Sequence, residues 1–231
     1  MTQEQSLATL AFSRRRFLAA TIFGGVVPVS AFGNQLQTTR REEKMNPRLY
    51  TFAGGDTGEW KVTGVKEIIG EGLQKVERLA ILHGRHPATE RAGQWALHGV
   101  TSNERYVTRP EKLQLVAGQE GLGRPQANCA ALIPIRKSAR WWELTQDERR
   151  AIFENQSHHT ATGLKYLPAI ARRLHHCRDL STSEPFDFLT WFEFAERDAK
   201  RFDQLLADLR GTEEWKYVDR EVEIRLIKDL R

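Results

Sequence analysis

The stretch Phe186-Asp-Phe-Leu-Thr-Trp-Phe-Glu-Phe194 decides the fold expected of this 231-residue chain. Its aromatic residues recur at alternate positions, which is the period of a strand. After it, four apolar residues fall on one face of a helix, namely Phe202, Leu205, Leu206 and Leu209. Residues 222–226 alternate again and read as a closing strand. The C-terminal part of the chain is therefore predicted to be strand–helix–strand.

The same patterns continue towards the N-terminus. Alternating apolar residues predict five further strands, at residues 49–52, 60–68, 78–82, 95–100 and 130–135. Leu113 and Val116 stand at helical spacing and predict a helix over residues 109–118. Strand–helix–strand thus appears around residues 95–135 and again around 186–226. This order predicts an α+β fold of two ferredoxin-like halves whose sheets face or join each other, with helices outside.

Two helical segments are predicted between these units. Thr145-Gln-Asp-Glu148 matches a capping box, so a helix is expected to begin there and to carry Ile152 and Phe153 inward. A second segment has apolar residues at helical spacing, at Leu164, Leu167, Ile170 and Leu174. Pro168 within it predicts a break or kink, because proline has no N–H for the preceding turn.

Composition excludes several classes of protein. The formal net charge is +5, but residues 1–31 hold three basic residues and one acidic residue, so the remainder carries +3. The other charges are interspersed, which is typical of a solvated surface and not of a nucleic-acid-binding stripe. Two cysteines allow one bridge at most, which excludes a disulfide scaffold. No apolar run after residue 45 is long enough to span a membrane.

The N-terminus is interpreted as a targeting signal over residues 1–31. Arginines at 14–16 precede a short apolar stretch that ends in Val29-Ser30-Ala31, the pattern of a secretory signal with a cleavage site. The twin arginine before Phe17-Leu18 resembles a Tat signal, which implies export of a folded protein to the periplasm. An amphipathic first helix is one alternative. Translation from Met45, which would leave the protein cytoplasmic, is another. Residues 32–46 are predicted to be a linker and residues 47–231 the domain.

Histidines and a cysteine cluster in two places along the chain. His158 and His159 form one group, and His175, His176 and Cys177 form the other. A zinc site is one hypothesis, although adjacent side chains diverge on a helix and no His-x-x-x-His spacing occurs. Solvated helix ends are the simpler interpretation on spacing alone. Gly121-Leu-Gly123 lacks the third glycine of a nucleotide-binding loop and is read as a turn.

A resemblance gives these residues a more specific meaning. The chain contains, in order, Trp141-Trp142-Glu-Leu-Thr-Gln-Asp-Glu-Arg149-Arg150, then His159 and Tyr166, then Arg172-Arg173-Leu174-His-His, then Asp187-Phe-Leu-Thr190-Trp-Phe192-Glu193. Over roughly residues 130–215 this resembles the chlorite dismutase family in order, residue types and spacing. About 185 residues follow Met45, so the chain is most similar to the short, dimeric branch of the family.

The resemblance implies a dimeric α+β barrel domain with a haem b pocket, which converts chlorite to chloride and dioxygen. It implies that His159 binds the iron and that Glu214 hydrogen-bonds His159, although Glu213 is the alternative partner. On the distal side it assigns Arg172, which would retain transient hypochlorite near the iron, and Gln119. Other positions of the family's pocket match Leu174, Thr190, Phe192, Tyr106, Trp141 and Trp142.

Within this reading, chlorite anion and a second copy of the chain are the expected partners. Nucleic acid is not expected, nor is a membrane after export. A coproheme decarboxylase-like enzyme of the same fold is an alternative, although Arg172 argues against it. A non-catalytic haem-binding protein with a vestigial pocket is an alternative from another class.

Overall fold

The computed structural model describes residues 47–86, 94–101 and 105–229. The predicted signal segment (1–31) and linker (32–46) lie outside the described residues. The strands are β1 Leu49–Gly55, β2 Trp60–Ile69, β3 Arg78–His83, β4 Trp95–Val100, β5 Cys129–Lys137, β6 Ala171–His176, β7 Phe188–Phe194 and β8 Val218–Lys228.

The helices of the described segments lie between β4 and β8. The α-helices are α1 Arg109–Gly118, α2 Ala139–Glu143, α3 Gln146–Arg150, α4 His159–Leu164 and α5 Ala199–Arg210. A π-helical segment, Ala151–Gln156, continues α3 towards α4, and short 3₁₀ turns occur at Glu196–Asp198 and Glu214–Tyr217. No helix among the described residues is long and apolar enough to cross a membrane.

The described strands close into one antiparallel barrel. Their order around it is β1-β3-β2-β8-β5-β7-β6-β4. The order β8-β5-β7-β6 in the second half repeats the order β4-β1-β3-β2 in the first. The seam between β4 and β6 is held by a single pair of described residues, Val100 opposite His176. Most of β6 therefore has a strand partner, β7, on one side only.

Two apolar cores lie on the two faces of the sheet in the second half of the barrel, one inside the barrel and one outside it. Alternation along β5 sends Ala130 and Leu132 into the barrel, where they pack with Phe52, Leu189, Trp191 and Ile224. Ala131, Ile133 and Ile135 point outward, against helix α5. The four apolar residues on one face of α5 are all buried there, as predicted from their spacing, namely Phe202, Leu205, Leu206 and Leu209. Helix α5 thus covers the outer face of the sheet and leaves room for a site beside it.

The predicted elements are mostly confirmed. Every predicted strand is present, and the one predicted at 130–135 is longer, at Cys129–Lys137. The capping box at Thr145 is formed with Glu148, and Ile152 is buried. The helix predicted over 109–118 is present, but Leu113 and Val116 are exposed on it and Leu115 is the buried residue.

The helix predicted through Leu174 is wrong beyond Leu164. Residues 171–176 are strand β6, paired with β7 from Ala171 opposite Glu193 to His176 opposite Phe188. The few apolar residues in this segment are compatible with a helix or a strand. The segment forms a strand because its backbone hydrogen-bonds to β7. The break predicted at Pro168 is confirmed, because α4 ends four residues before it.

Candidate functional site

A cavity lies on the outer face of the second half of the barrel. We call it the inner cavity; it is open to solvent on one side. Sheet residues form its floor in three cross-strand rows. Arg172 is opposite Phe192, Leu174 is opposite Thr190, and His176 is opposite Phe188. Ile133 and Ile135 of β5 extend the last two rows. The cavity is therefore mainly apolar, with Arg172 at one end of β6 and His176 at the other.

His159 enters the cavity from the first residue of α4. Its Nδ1 lies 2.7 Å from Oε2 of Glu214. Hydrogen bonding to a carboxylate places the proton on Nδ1, which leaves Nε2 with a free lone pair able to bind a metal. The ring of Phe153 stacks on the imidazole at 4.3 Å between centroids. The structure thus brings Glu214 beside His159, whereas Glu213 is partly exposed and pairs with Lys216.

Glu214 is a buried carboxylate held in its charged form. Its Oε1 accepts a hydrogen bond from Nζ of Lys137 at 2.8 Å, and its main-chain N–H donates to Oγ of Ser157 at 2.8 Å. Burial raises the pKa of Glu214, but the charges of Lys137 and His159 outweigh it and lower the pKa to about 2. Lys137, Glu214 and His159 therefore form one chain of charge-assisted contacts along the cavity wall.

Lys137 is the residue that sequence reasoning missed. It lies on the same face of β5 as Ile133 and Ile135, and its side chain is 4% exposed. A lysine in phase with an apolar strand face is uncommon, since a buried ammonium needs an acidic partner. The position of Lys137 in the apolar alternation of β5 was therefore the sequence signal that could have identified it.

Arg172 reaches from the sheet to helix α4. Its guanidinium lies against Gly163, where an added Cβ would come within 2.3 Å of Nη1. Gly163 follows His159 by one turn of the same helix. His159 and Arg172 therefore stand on different elements and line the same cavity.

Gln119 does not line the inner cavity. It ends helix α1 and lies in an adjoining opening, the outer cleft, which also contains Tyr50, Thr101, Arg173 and parts of β6. Its Nε2 donates to the main-chain oxygen of Arg172 at 3.1 Å. This bond satisfies the carbonyl of Arg172, which lies in the part of β6 that no described strand pairs with on the side away from β7. Gln119 thus fixes the backbone from which Arg172 extends.

Three residues of the inner cavity carry buried polar atoms without a hydrogen-bond partner. These atoms are Oη of Tyr106, Nε1 of Trp141 and Nδ1 of His176. His176 is 2% exposed, and burial, with a smaller effect of Arg105, lowers its pKa to about 4. Unsatisfied buried donors are costly and indicate a ligand with acceptor groups.

Of the remaining predicted site residues, three line the inner cavity and one does not. Leu174, Thr190 and Phe192 line the inner cavity. Trp142 does not: its ring stacks on Phe188, and its Nε1 donates to Asp187 at 3.2 Å. Trp142 therefore contacts the floor residue Phe188 without lining the cavity itself.

The other histidines do not form a metal site in the described part of the chain. His158 is exposed and has a left-handed backbone, with φ of 49°. His175 and His176 are buried in β6, so the interpretation of them as solvated helix ends is wrong. No group of three potential metal-binding side chains occurs among the described residues.

Comparison with known proteins agrees with this geometry. The family model described as Chlorite dismutase matches residues 71–228, more than half of the chain. The chain belongs to the chlorite dismutase family. A crystal structure of dimeric chlorite dismutases from Nitrobacter winogradskyi is 57% identical, with 78% of this chain and 99% of that chain covered and a TM-score of 0.72.

Two other relatives are more distant. The chlorite dismutase of Ideonella dechloratans is 31% identical over 124 residues, which are 53% of this chain and 41% of that protein. The aligned region thus spans about two fifths of that relative's length. A chlorite dismutase structure from Candidatus Nitrospira defluvii, in complex with imidazole, is 22% identical. The alignment with this structure covers 82% of this chain and 95% of that chain at a TM-score of 0.56. At this identity, the similarity supports only a shared fold.

Proposed function

We propose that the protein converts chlorite to chloride and dioxygen on a haem b whose iron is bound by His159. One observation carries the proposal: a carboxylate-bonded imidazole and a guanidinium line the same apolar cavity. The imidazole suits an iron that must keep an open coordination position. The guanidinium suits an anionic substrate, because it stays charged at every working pH.

The residues present fit a haem. The floor joins apolar side chains of β5, β6 and β7, with Arg172 and His176 at its two ends, and this surface suits a flat apolar macrocycle. Tyr106, Trp141 and His176 have unpartnered buried atoms that would donate to the two carboxylate arms of the cofactor. His159 would supply the axial nitrogen.

A bound haem would supply a ferric iron that accepts one oxygen atom from chlorite and returns it to form dioxygen. The proximal residues prepare that iron. Glu214 holds the proton of His159 on Nδ1 and raises the basicity of Nε2. Lys137 compensates the buried charge of Glu214, so the carboxylate stays ionised. No proton has to move through this chain of contacts during turnover.

The distal residues hold the anions. When chlorite gives up one oxygen atom, hypochlorite remains, and both oxygen atoms must meet again to leave as dioxygen. Arg172 would hold hypochlorite through charge-assisted hydrogen bonds, which are strong where water is excluded. Gln119 keeps the main chain of Arg172 in place. Leu174, Thr190 and Phe192 offer hypochlorite no competing charge.

The oxygen electrode tests this proposal directly. The haem-loaded protein should release one dioxygen per chlorite consumed, without a reductant. A protein that shows a normal haem spectrum and evolves no oxygen would be the non-catalytic haem-binding protein or the coproheme decarboxylase-like enzyme. The presence of Arg172 in the cavity favours the chlorite reaction over the second of these.

We further propose a homodimer in which each subunit has two ferredoxin-like halves. The dimeric Nitrobacter winogradskyi relative supports the first point. The repeated strand order supports the second, together with the strand–helix–strand–strand–helix–strand sequence of the second half. Sedimentation of the haem-loaded protein should give the mass of two chains.

The predicted Tat signal leads to a proposal of periplasmic location. Protein made with its own leader should be found in the periplasm, trimmed near Ala31. Replacement of Arg14 and Arg15 by lysine should block export. Protein that starts at Met45 in the cytoplasm would contradict the location and leave the enzyme proposal intact.

A further inference from the structure

The outer cleft reaches both faces of strand β6. Consecutive strand residues point to opposite faces, yet Arg172 and Arg173 both line the cleft. A single opening can touch both only if it passes round the edge of the strand. That edge is uncovered here, because β4 pairs with β6 only at His176 among the described residues.

The outer cleft adjoins the inner cavity. Arg172, Leu174, His176 and Leu115 line both. A small molecule that enters the inner cavity through the cleft would therefore meet Arg172, which lines both. The cleft is a route from solvent to the guanidinium at the distal wall.

The charged residues described in the outer cleft are cationic. Among the described residues that line it, the charged side chains are Arg172 and Arg173, and none is a carboxylate. Arg173 is exposed, and its guanidinium lies over the ring of Tyr50 at 5.7 Å. Its Nη1 also lies 3.4 Å from Oη of Tyr50. Tyr50 thus holds the outer guanidinium beside the cleft and leaves its charge in solvent.

We infer that the outer cleft is a capture site for small monovalent anions, with Arg173 as the capturing residue that passes the anion to Arg172. Two cations that line one opening raise the local concentration of an anion and its association rate. Arg173 contacts neither the cofactor site nor the reacting atoms, so it acts on arrival and not on chemistry. The inference rests on the proposed function, which supplies the anionic substrate.

Association of nitrite with the ferric, haem-loaded protein tests the inference by stopped-flow spectroscopy. At low ionic strength, Arg173→Gln should slow nitrite association by about threefold to tenfold. Arg173→Lys, which keeps the charge, should stay within about twofold of wild type. The difference should vanish at an ionic strength near 1 M, where the Debye length is only about 3 Å.

Two controls separate capture at this cleft from general effects. Arg136→Gln removes the same charge from an exposed side chain that lines neither opening and pairs with Asp219; it should leave nitrite association unchanged. Imidazole, an uncharged ligand at pH 8, should associate at the same rate with Arg173→Gln and wild type. If Arg136→Gln slows nitrite equally, or if Arg173→Gln slows imidazole as much as nitrite, the inference is wrong.

Failure of this inference is distinguishable from failure of the proposed function. With chlorite, Arg173→Gln should lower kcat/KM more than kcat. A haem-loaded protein without oxygen evolution would end the proposed function, while the nitrite comparison would still decide whether the cleft captures anions. Equal nitrite rates for wild type and Arg173→Gln at low ionic strength would overturn the capture site.

Discussion

At the scale of single residues, the site depends on how each buried charge is compensated. Glu214 is 4% exposed and would be costly as an isolated carboxylate. It keeps its charge because Lys137 and His159 bind its two oxygen atoms. The same arrangement fixes the tautomer of His159. Cofactor binding and the stability of the cavity wall therefore rest on the same three side chains.

The first prediction concerns the axial ligand. His159→Ala should lose stable haem, because no other imidazole faces the cavity from α4. His158→Ala is the matched control: it removes the neighbouring histidine, which is exposed, and should keep a normal Soret band. Absorption spectra after gel filtration measure both. Haem retention by His159→Ala with loss by His158→Ala would show that the ligand is misassigned.

The second prediction concerns the buried ion pair. Lys137→Met leaves Glu214 charged with only one partner and should cost about 3–5 kcal/mol of unfolding free energy. Glu214→Gln in the same chain should restore much of it, and a double-mutant cycle in urea at pH 7 measures the coupling. Additive effects of the two substitutions would contradict the pairing. In the wild type, the contribution of Glu214 is present above pH 4.5, the ordinary pKa, and is lost as pH falls towards the folded pKa of about 2.

The third prediction uses the close approach of Gly163 to Arg172. Gly163→Ala should raise stability by up to about 1 kcal/mol through helix propensity. Its Cβ, however, would displace Nη1 of Arg172. Nitrite affinity of the haem-loaded protein should then fall about tenfold, the effect of one weakened hydrogen bond to a charged group. Unchanged affinity would mean that the guanidinium does not need this position.

At the scale of elements, β6 carries most of what distinguishes the site. Its outward residues line the inner cavity, and its inward residue His175 packs in the barrel against Tyr50 and Phe52. Burial lowers the pKa of both His175 and His176 to about 4. The strand is therefore held with two neutral histidines at physiological pH.

The fourth prediction follows from these histidines. A base with a lowered pKa in the folded state stabilises the fold above its ordinary pKa of 6.5, and this stability is lost as pH falls to 4. Unfolding of the haem-free protein in urea should lose about 3 kcal/mol per histidine over this range. His175→Phe should roughly halve the loss, whereas the exposed His158→Ala should not change it. A flat profile between pH 6.5 and 4 would contradict the burial of uncharged imidazoles.

Sequence patterns predicted elements wherever one residue spacing dominated. The alternation in β7 is strong because its two faces pack into two different cores, and the pattern in α5 is strong because one face is buried along the helix. The prediction of a helix through Leu174 was wrong, because residues 171–176 pair with β7, and this long-range pairing cannot be seen in the local sequence. For the site, the family resemblance identified His159 and Arg172 from the sequence. Lys137, which pairs with Glu214, and Gly163, which contacts Arg172, were identified only from the folded structure, because they come close to the site through tertiary contacts.

At the scale of the whole molecule, the barrel separates two tasks. Its interior is an apolar core that joins both halves. The outer face of the second half, covered by helices, holds the inner cavity. The seam between β4 and β6 leaves an edge at which the outer cleft meets that cavity. The closure of the barrel and the access to the site thus depend on the same incomplete pairing.

The most direct measurement of the central claim is the isotopic composition of the dioxygen. Haem-loaded protein would receive an equal mixture of unlabelled chlorite and chlorite carrying ¹⁸O at both positions. If Arg172 retains hypochlorite until both oxygen atoms of one chlorite rejoin, wild type should release almost no mixed dioxygen, and Arg172→Ala should release more. Mixed dioxygen from wild type at the half share expected of free exchange, or no dioxygen at all, would contradict the account.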